Sequence, residues 1–327
     1  MIEKVMKAVK SSNKRRGRNI TIGAVVGFLL SCTAVMGADN YLWIKEEGGK
    51  IEFNTFVTMG ADGEGGNWDT ANPYEDAGNI WDADTGNKIY INNVTLSSNG
   101  VNGVNENNSI SYGLRLSGNL TNVNFVNNAS ITGIMTSSGN GYGIFNSAEM
   151  GNIENKGIIN GTGDIKGYGI YNSDSAKIGN ITNIGIISGT GAGTSSAGYG
   201  YGIYNYTSAE IGNIINTGII RGIGTSNSTS ASSHGYGIYS YNTSEMGNIE
   251  NAGIINGTGA SSGYGINNIS STIRDITNNI GIINTGIING SATATATGSS
   301  SGYGINNNTG TIGDITNAGC PDIDSNG

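Results

Sequence analysis

Between residues 141 and 257 one block of sequence returns four times with little change. GYGIFNSAEMGNIENKGIING (141–161), GYGIYNSDSAKIGNITNIGIISG (167–189), GYGIYNYTSAEIGNIINTGIIRG (200–222) and GYGIYSYNTSEMGNIENAGIING (235–257) superpose with gaps of at most two residues. A longer copy starts at Gly263 and holds its second half twice, over 276–283 and 282–290. A sixth starts at Gly302, and a degenerate one covers 112–133. Tyr142, Tyr168, Tyr201, Tyr236, Tyr264 and Tyr303 are therefore 26, 33, 35, 28 and 39 residues apart, and the variation lies in Ser/Thr/Gly/Ala-rich linkers at 190–197, 223–234 and 291–301. A constant block with elastic insertions at one point describes a solenoid, in which each block is one coil and loops leave from one corner.

Within the block the period is two, the period of a strand. Ile181, Asn183, Gly185, Ile187 and Gly189 share one parity, whereas Thr182, Ile184, Ile186 and Ser188 share the other. In the copy before it Glu154 and Lys156 fall on the second parity, so that side faces water and the first faces a core. On the other strand Tyr168, Ile170 and Asn172 alternate with Gly169 and Tyr171, and Ile170 is placed inward. Composition agrees: 56 Gly and 47 Asn among 327 residues, with only 12% charged, leave too few good helix formers for an α-helical or coiled-coil protein. Regularly recurring Ile argues against disorder.

Stacking such coils in parallel sets like above like at the strand spacing of about 4.8 Å. Asn155, Asn183, Asn216, Asn251, Asn284 and Asn317 then form one column able to link side-chain amides at a bend, where Asn also tolerates a left-handed backbone. Gly157, Gly185, Gly218, Gly253 and Gly286 would serve the same bend. The expected fold is all-β, a parallel β-helix of about seven coils over 100–319. A propeller or sandwich would need antiparallel hairpin turns, which this repeat lacks.

Residues 39–99 differ from the repeats. All three Trp (Trp43, Trp68, Trp81) and 11 of the 23 acids beyond the leader lie within 39–90. Alternation at 41–44, 50–57 and 88–96 predicts strands, and 61–79 reads as a loop. An N-terminal cap that shields the solenoid's open strand edges fits this segment.

Ahead of it, residues 1–38 carry a charge of +6 and an apolar run (19–37) that ends in small residues, which reads as a signal peptide cleaved after Ala38. An uncleaved anchor and a lipoprotein box at Leu29-Leu30-Ser31-Cys32 are the alternatives. Cleavage would leave Cys320 as the one cysteine, hence no intrachain disulfide. The remaining chain carries -14, which repels phosphate and excludes nucleic acid as an expected partner.

Few residues invite chemistry. A single His234 in a Ser-rich linker cannot build a histidine triad or a zinc cluster. Gly48-Gly49-Lys50 and GTGAG (189–193) lack the context of a phosphate loop. Asp82, Asp84, Gly86 and Asn87, and Asp322, Asp324, Asn326 and Gly327 in a tail at 320–327, resemble calcium loops but are incomplete. No catalytic, cofactor or metal residue is therefore expected. Glu149, Lys177, Glu210 and Glu245, with Glu154 and Glu250, follow the repeat and read as solvated charges rather than the carboxylate pair of a polysaccharide-cleaving enzyme. Two outward columns are apolar: Ile158, Ile186, Ile219, Ile254 and Ile287, and on the neighbouring strand Phe145, Tyr171, Tyr204 and Tyr239. They are the candidate partner-binding surface.

A long basic leader, an acidic Trp-bearing start, and I-x-N-x-G-x-I-x-G blocks joined to Y-G-I-Y-N resemble the passenger region of autotransporter (type V secreted) adhesins of Gram-negative bacteria. The resemblance covers the leader and most of 112–319. It implies a secreted or outer-membrane-associated surface protein, a non-enzymatic adhesin or structural stalk whose partners are host cells, matrix, glycans or neighbouring bacterial surface proteins. The family ends in a membrane β-barrel, and this sequence ends at Gly327 after an interrupted coil. Membrane association would then come only through a translocator missing here or through the leader. A secreted β-helical polysaccharide lyase or hydrolase is the alternative reading.

Overall fold

The computed structural model describes residues 41–56, 68–83, 88–100, 110–136, 138–194, 197–227, 232–278, 286–292 and 300–317. The expected leader, both cysteines, Asp84, Gly86, Asn87 and the tail at 320–327 lie outside the described residues. Among the described residues, no helix is long and apolar enough to cross a membrane.

From Tyr41 to Asn317 the described residues form a parallel β-helix of seven coils built from three sheets of 14, nine and seven strands. One coil shows the plan: Lys166–Asn172 and Lys177–Ile178 lie in the broad sheet, Ile181–Asn183 in the nine-stranded sheet and Ile186–Gly191 in the seven-stranded sheet. Each strand pairs in parallel with its repeat-equivalents, so Ile153, Ile181, Ile214, Ile249 and Ile276 stack, as do Ile159, Ile187, Ile220 and Ile255. All nine are at most 1% exposed. Removing each from water contributes roughly 1.5–3 kcal/mol, and the repetition multiplies one solution along the axis.

Asparagines hold one corner. Asn92, Asn127, Asn155, Asn183, Asn216 and Asn251 each donate Nδ2–H to the Oδ1 of the next, with the last bond reaching Asn278, at 2.7–2.9 Å. The expected rung Asn284 lies outside the described residues, and the rung that follows Asn251 is Asn278. Asn251 pairs with Asn278 and Asn278 with Asn317, so the first of the two duplicated half-repeats fills the column. The second supplies the seven-stranded sheet, through Ile287–Ala292. A second buried ladder runs Asn146, Asn172, Asn205 at 2.8–2.9 Å.

The ladder asparagines do not use the left-handed backbone. That conformation belongs to another corner, at Asp174 and Ser175, Thr207 and Ser208, and Asn242 and Thr243. Nor do the bend glycines have positive φ. Gly185 is required by proximity: a Cβ there would lie 2.0 Å from the carbonyl oxygen of Gly157 in the coil below.

A further difference lies at Gly169. Tyr168 is outward although it shares parity with the inward Ile170, because the strand bends there and two successive residues, Gly169 and Ile170, turn toward the core. Between this bend and the linkers the seven-stranded and broad sheets touch backbone to backbone. A Cβ on Gly161 would lie 1.9 Å from the Tyr168 carbonyl oxygen.

Residues 39–99 hold the first layer as well as its cover. Tyr41–Glu47, Lys88–Asn92 and Leu96–Gly100 pair in parallel with the first full coil. Lys50–Phe56 and Ile80–Asp82 pair antiparallel on the outer side and occupy strand edges that would otherwise be open.

Candidate functional site

The outer face of the broad sheet carries two interlocked aromatic columns. In the first, Tyr142, Tyr168, Tyr201, Tyr236, Tyr264 and Tyr303 stack with ring centroids 4.8–5.5 Å apart and planes within 10°. In the second, Phe145, Tyr171, Tyr204 and Tyr239 follow at 5.4, 5.3 and 4.9 Å. The columns also touch each other, as Tyr168 meets Tyr171 at 4.9 Å and Tyr201 meets Tyr204 at 4.8 Å. Parallel rings whose carbon surfaces touch at about 3.5 Å while their centroids are near 5 Å must be offset sideways by a similar distance, the favoured arrangement for such pairs. Ring faces are thus spent largely on other rings.

Burial follows from this packing. Tyr168 is 3% exposed and Tyr204 9%, whereas Phe145, Tyr171 and Tyr239 are half-buried. Desolvation raises the phenol pKa of Tyr142, Tyr168, Tyr201 and Tyr204 above its usual value, and that of Tyr239 to about 12. The column of Tyr142 to Tyr303 was not legible as an outward surface, because strict alternation hides a bend. Conserved spacing of Gly-Tyr-Gly, with glycine on both sides of each ring, is the one signal that could have exposed it.

The isoleucine column stands elsewhere. Ile158, Ile186, Ile219, Ile254 and Ile287 are in register on the seven-stranded sheet, not on the broad sheet that carries the aromatic columns. The first four are half-buried and Ile287 is 51% exposed. The two candidate columns therefore form two separate surfaces.

Charged residues collect in a shallow groove of about 420 Å³ between the broad and nine-stranded sheets, where Glu149, Lys177, Glu210 and Glu245 succeed one another and Arg274 joins them from the adjacent column. Lys177 pairs with Glu210 at 3.2 Å, and Glu210 and Glu245 are register neighbours. Glu154 is not in the groove and pairs with Lys156 at 3.0 Å. Of the other two arginines near the coils, Arg115 lies over the Trp43 ring at 3.9 Å, and Arg221 donates to Ser188 Oγ at 3.2 Å on the seven-stranded sheet. Among the described residues no three His, Cys, Asp or Glu side chains are placed to hold a metal ion.

Arg274 breaks a rule of the groove. Its equivalents Gly151, Gly179, Gly212, Gly247 and Gly313 have no room for a Cβ, which would lie 2.5–2.7 Å from an Asn or Asp Oδ1 of the preceding coil. That oxygen normally accepts the next coil's backbone N–H, as Asn180 does from Asn213 at 2.8 Å. Below Arg274, the buried Oδ1 of Asn248 has no hydrogen-bond partner.

The cap holds one more concavity, of about 570 Å³, lined by Asn72, Glu75, Gly78, Asn79, Ile80 and Trp81 with Ala71. Its loop is anchored by Asn79, which donates to Tyr90 Oη at 2.9 Å and to Asn92 Oδ1 at 3.2 Å and accepts from the Asn93 N–H at 2.7 Å. Compared with known protein families, with curated proteins and with solved structures, the chain matches none.

Proposed function

We propose that this protein is an exported, non-enzymatic adhesive stalk of the autotransporter-passenger kind, displayed at a bacterial surface. The observation that supports this reading is the continuity of the aromatic face, which runs along the axis from Tyr112 to Tyr303 without a convergent break. Although Tyr142, Tyr168, Tyr201 and Tyr204 are buried among the rings, Phe145, Tyr171, Tyr239 and Tyr303 leave part of the face open, and an aromatic surface of that extent favours contact with a partner. Since the ring faces are already stacked, the exposed edges fit a flat protein surface, such as another solenoid, better than they fit sugar rings. The test replaces Tyr171, Tyr204 and Tyr239 together by Ser. Cell adhesion should fall while the β-sheet circular dichroism signal stays intact, and full adhesion would remove the aromatic face from the contact.

The groove favours a second reading, a polysaccharide-cleaving enzyme, because Glu210, Glu245 and Arg274 line one depression. Glycoside hydrolysis, however, needs one carboxyl in a desolvated pocket. Glu149 and Glu245 are exposed, and Glu210 is engaged by Lys177. Release of reducing ends from a neutral or acidic polysaccharide, lost in Glu210→Gln or Glu245→Gln, would establish this second reading against the first.

A further inference from the structure

The cap loop is the part of the molecule that no repeat explains. Its concavity sets two apolar side chains, Ile80 at 49% exposure and the half-buried Trp81, beside the exposed Glu75 carboxylate and the amides of Asn72 and Asn79. Ile184 and Ile215 are exposed too, but they sit at outward positions of the coil pattern. Ile80 has no such reason to face water. Trp81 is fixed from behind by Phe53, edge-on at 5.1 Å, so its indole is held in place where it lines the cavity.

The polar side is equally fixed. Asn72 Oδ1 accepts from the Tyr74 N–H at 3.1 Å and the Tyr90 hydroxyl at 3.2 Å, and its Nδ2 donates to the Asn79 carbonyl at 2.7 Å. Asn79 in turn ends the buried asparagine ladder through Asn92, so the loop is tied by hydrogen bonds to the core of the coils. A site built before its ligand arrives loses little ordering entropy on binding.

We propose that this cavity binds a neutral sugar unit of a surface glycan. The inference rests on the adhesive reading and deepens it by naming the ligand class and placing it at the cap. An indole and an aliphatic side chain offer an apolar wall for the C–H face of a pyranose, while the exposed Glu75 carboxylate and the second Nδ2–H of Asn72, the first being held by the Asn79 carbonyl, meet its hydroxyls. The volume is that of small-molecule sites. Charge selects among sugars: residues 68–83 carry Asp69, Glu75, Asp76 and Asp82 and no Lys or Arg, and the cation that reaches them, Lys45 over the Trp68 ring at 4.1 Å, is paired with Glu47 and Glu52, so sialic acids and uronates are repelled.

Saturation-transfer NMR and titration of the full chain with methyl glucoside, methyl galactoside and N-acetylglucosamine, against sialyllactose, test this. At least one neutral sugar should bind, and Trp81→Ala should weaken it by about tenfold or more. Because Trp81 also packs on Phe53, the exposed Glu75→Gln and Ile80→Ser serve as variants that leave the cap folded, each weakening binding several-fold. The triple Tyr→Ser variant of the stalk should bind sugar normally. Binding of sialyllactose in preference, binding of no neutral sugar, or unchanged binding in all three cap variants would overturn the proposal. Cell adhesion that persists in that event leaves the adhesive stalk standing without this site.

Discussion

Asn183 and Asn79 are both buried asparagines within hydrogen bonds of an asparagine ladder, yet they are held in different ways. Asn183 is one rung among equals, accepting from Asn155 and donating to Asn216, each at 2.8 Å. Asn79 is used once, where Tyr90, Asn92 and Asn93 converge on it from the cap. The isoleucines show the same contrast: Ile187 is fully buried in a column of its own kind, and Ile80 stands half out of a singular loop. In the coils one local solution is copied, so stability grows with length and any site made there is an array. In the cap each contact is unique, which is the condition for recognising one particular ligand.

The sharpest break of this comparison is a charge in the repeated core. Ile187→Asp, or Ile220→Asp, places a carboxylate at a position 0% exposed with no partner and should cost several kcal/mol in chemical denaturation. Ile80→Asp in the cap should cost less than about 0.5 kcal/mol, as exposed positions do. A Gly-Ser insertion within 226–232 should likewise cost well under about 1 kcal/mol, since loop entropy grows slowly with length. Equal losses from the core and linker changes would refute the division into coil and loop.

This contrast also explains what could be read without coordinates. Repetition made the coils legible, because a period of two inside a longer period fixes which residues stack, and Ile181, Asn183 and Ile187 are inward as their parity requires. Alternation failed where the backbone departs from a flat strand. At Gly169 two residues in a row turn inward, and the whole Tyr168 column changes sides with them. Duplication failed differently: Asn278 and Asn284 both fit the motif, and only the register that sets Asn278 beside Asn251 decides which fills that rung. The cap concavity had no signal beyond a concentration of Trp and acids, since Asn72, Asn79 and Tyr90 meet through folding rather than through spacing.

A smaller effect separates the two kinds of ladder rung. Asn183→Ala removes a donor to Asn216 and an acceptor for Asn155, leaving both neighbours with unmet hydrogen bonds inside the core, and should destabilise by about 1–3 kcal/mol. Asn79→Ala should cost a similar amount in cap stability and, unlike the coil change, abolish sugar binding by releasing the loop. A thermal melt together with the sugar titration distinguishes them: loss of both properties in Asn183→Ala would mean that cap and coils are not separable.

The smallest expected effect is a gain. Arg274 occupies a column otherwise filled by Gly247 below and Gly313 above, and its Cβ needs the space in which the preceding coil's amide oxygen would sit. Asn248 Oδ1 is buried without a partner as a result. Arg274→Gly should let Asn248 accept the Asp275 N–H, as Asn213 accepts that of Asn248 at 2.9 Å, and raise stability by about 1 kcal/mol. Glycine's larger freedom in the unfolded chain works against this by about 0.5–1 kcal/mol, so the net rise in the denaturation midpoint should be small but positive. Arg274→Ala supplies the control, because it removes the charge from the groove and keeps the Cβ. If Ala and Gly stabilise equally, charge repulsion rather than the blocked rung is the cause; a gain confined to Gly would show that the repeat itself, one atom per coil, sets the rule that Arg274 breaks.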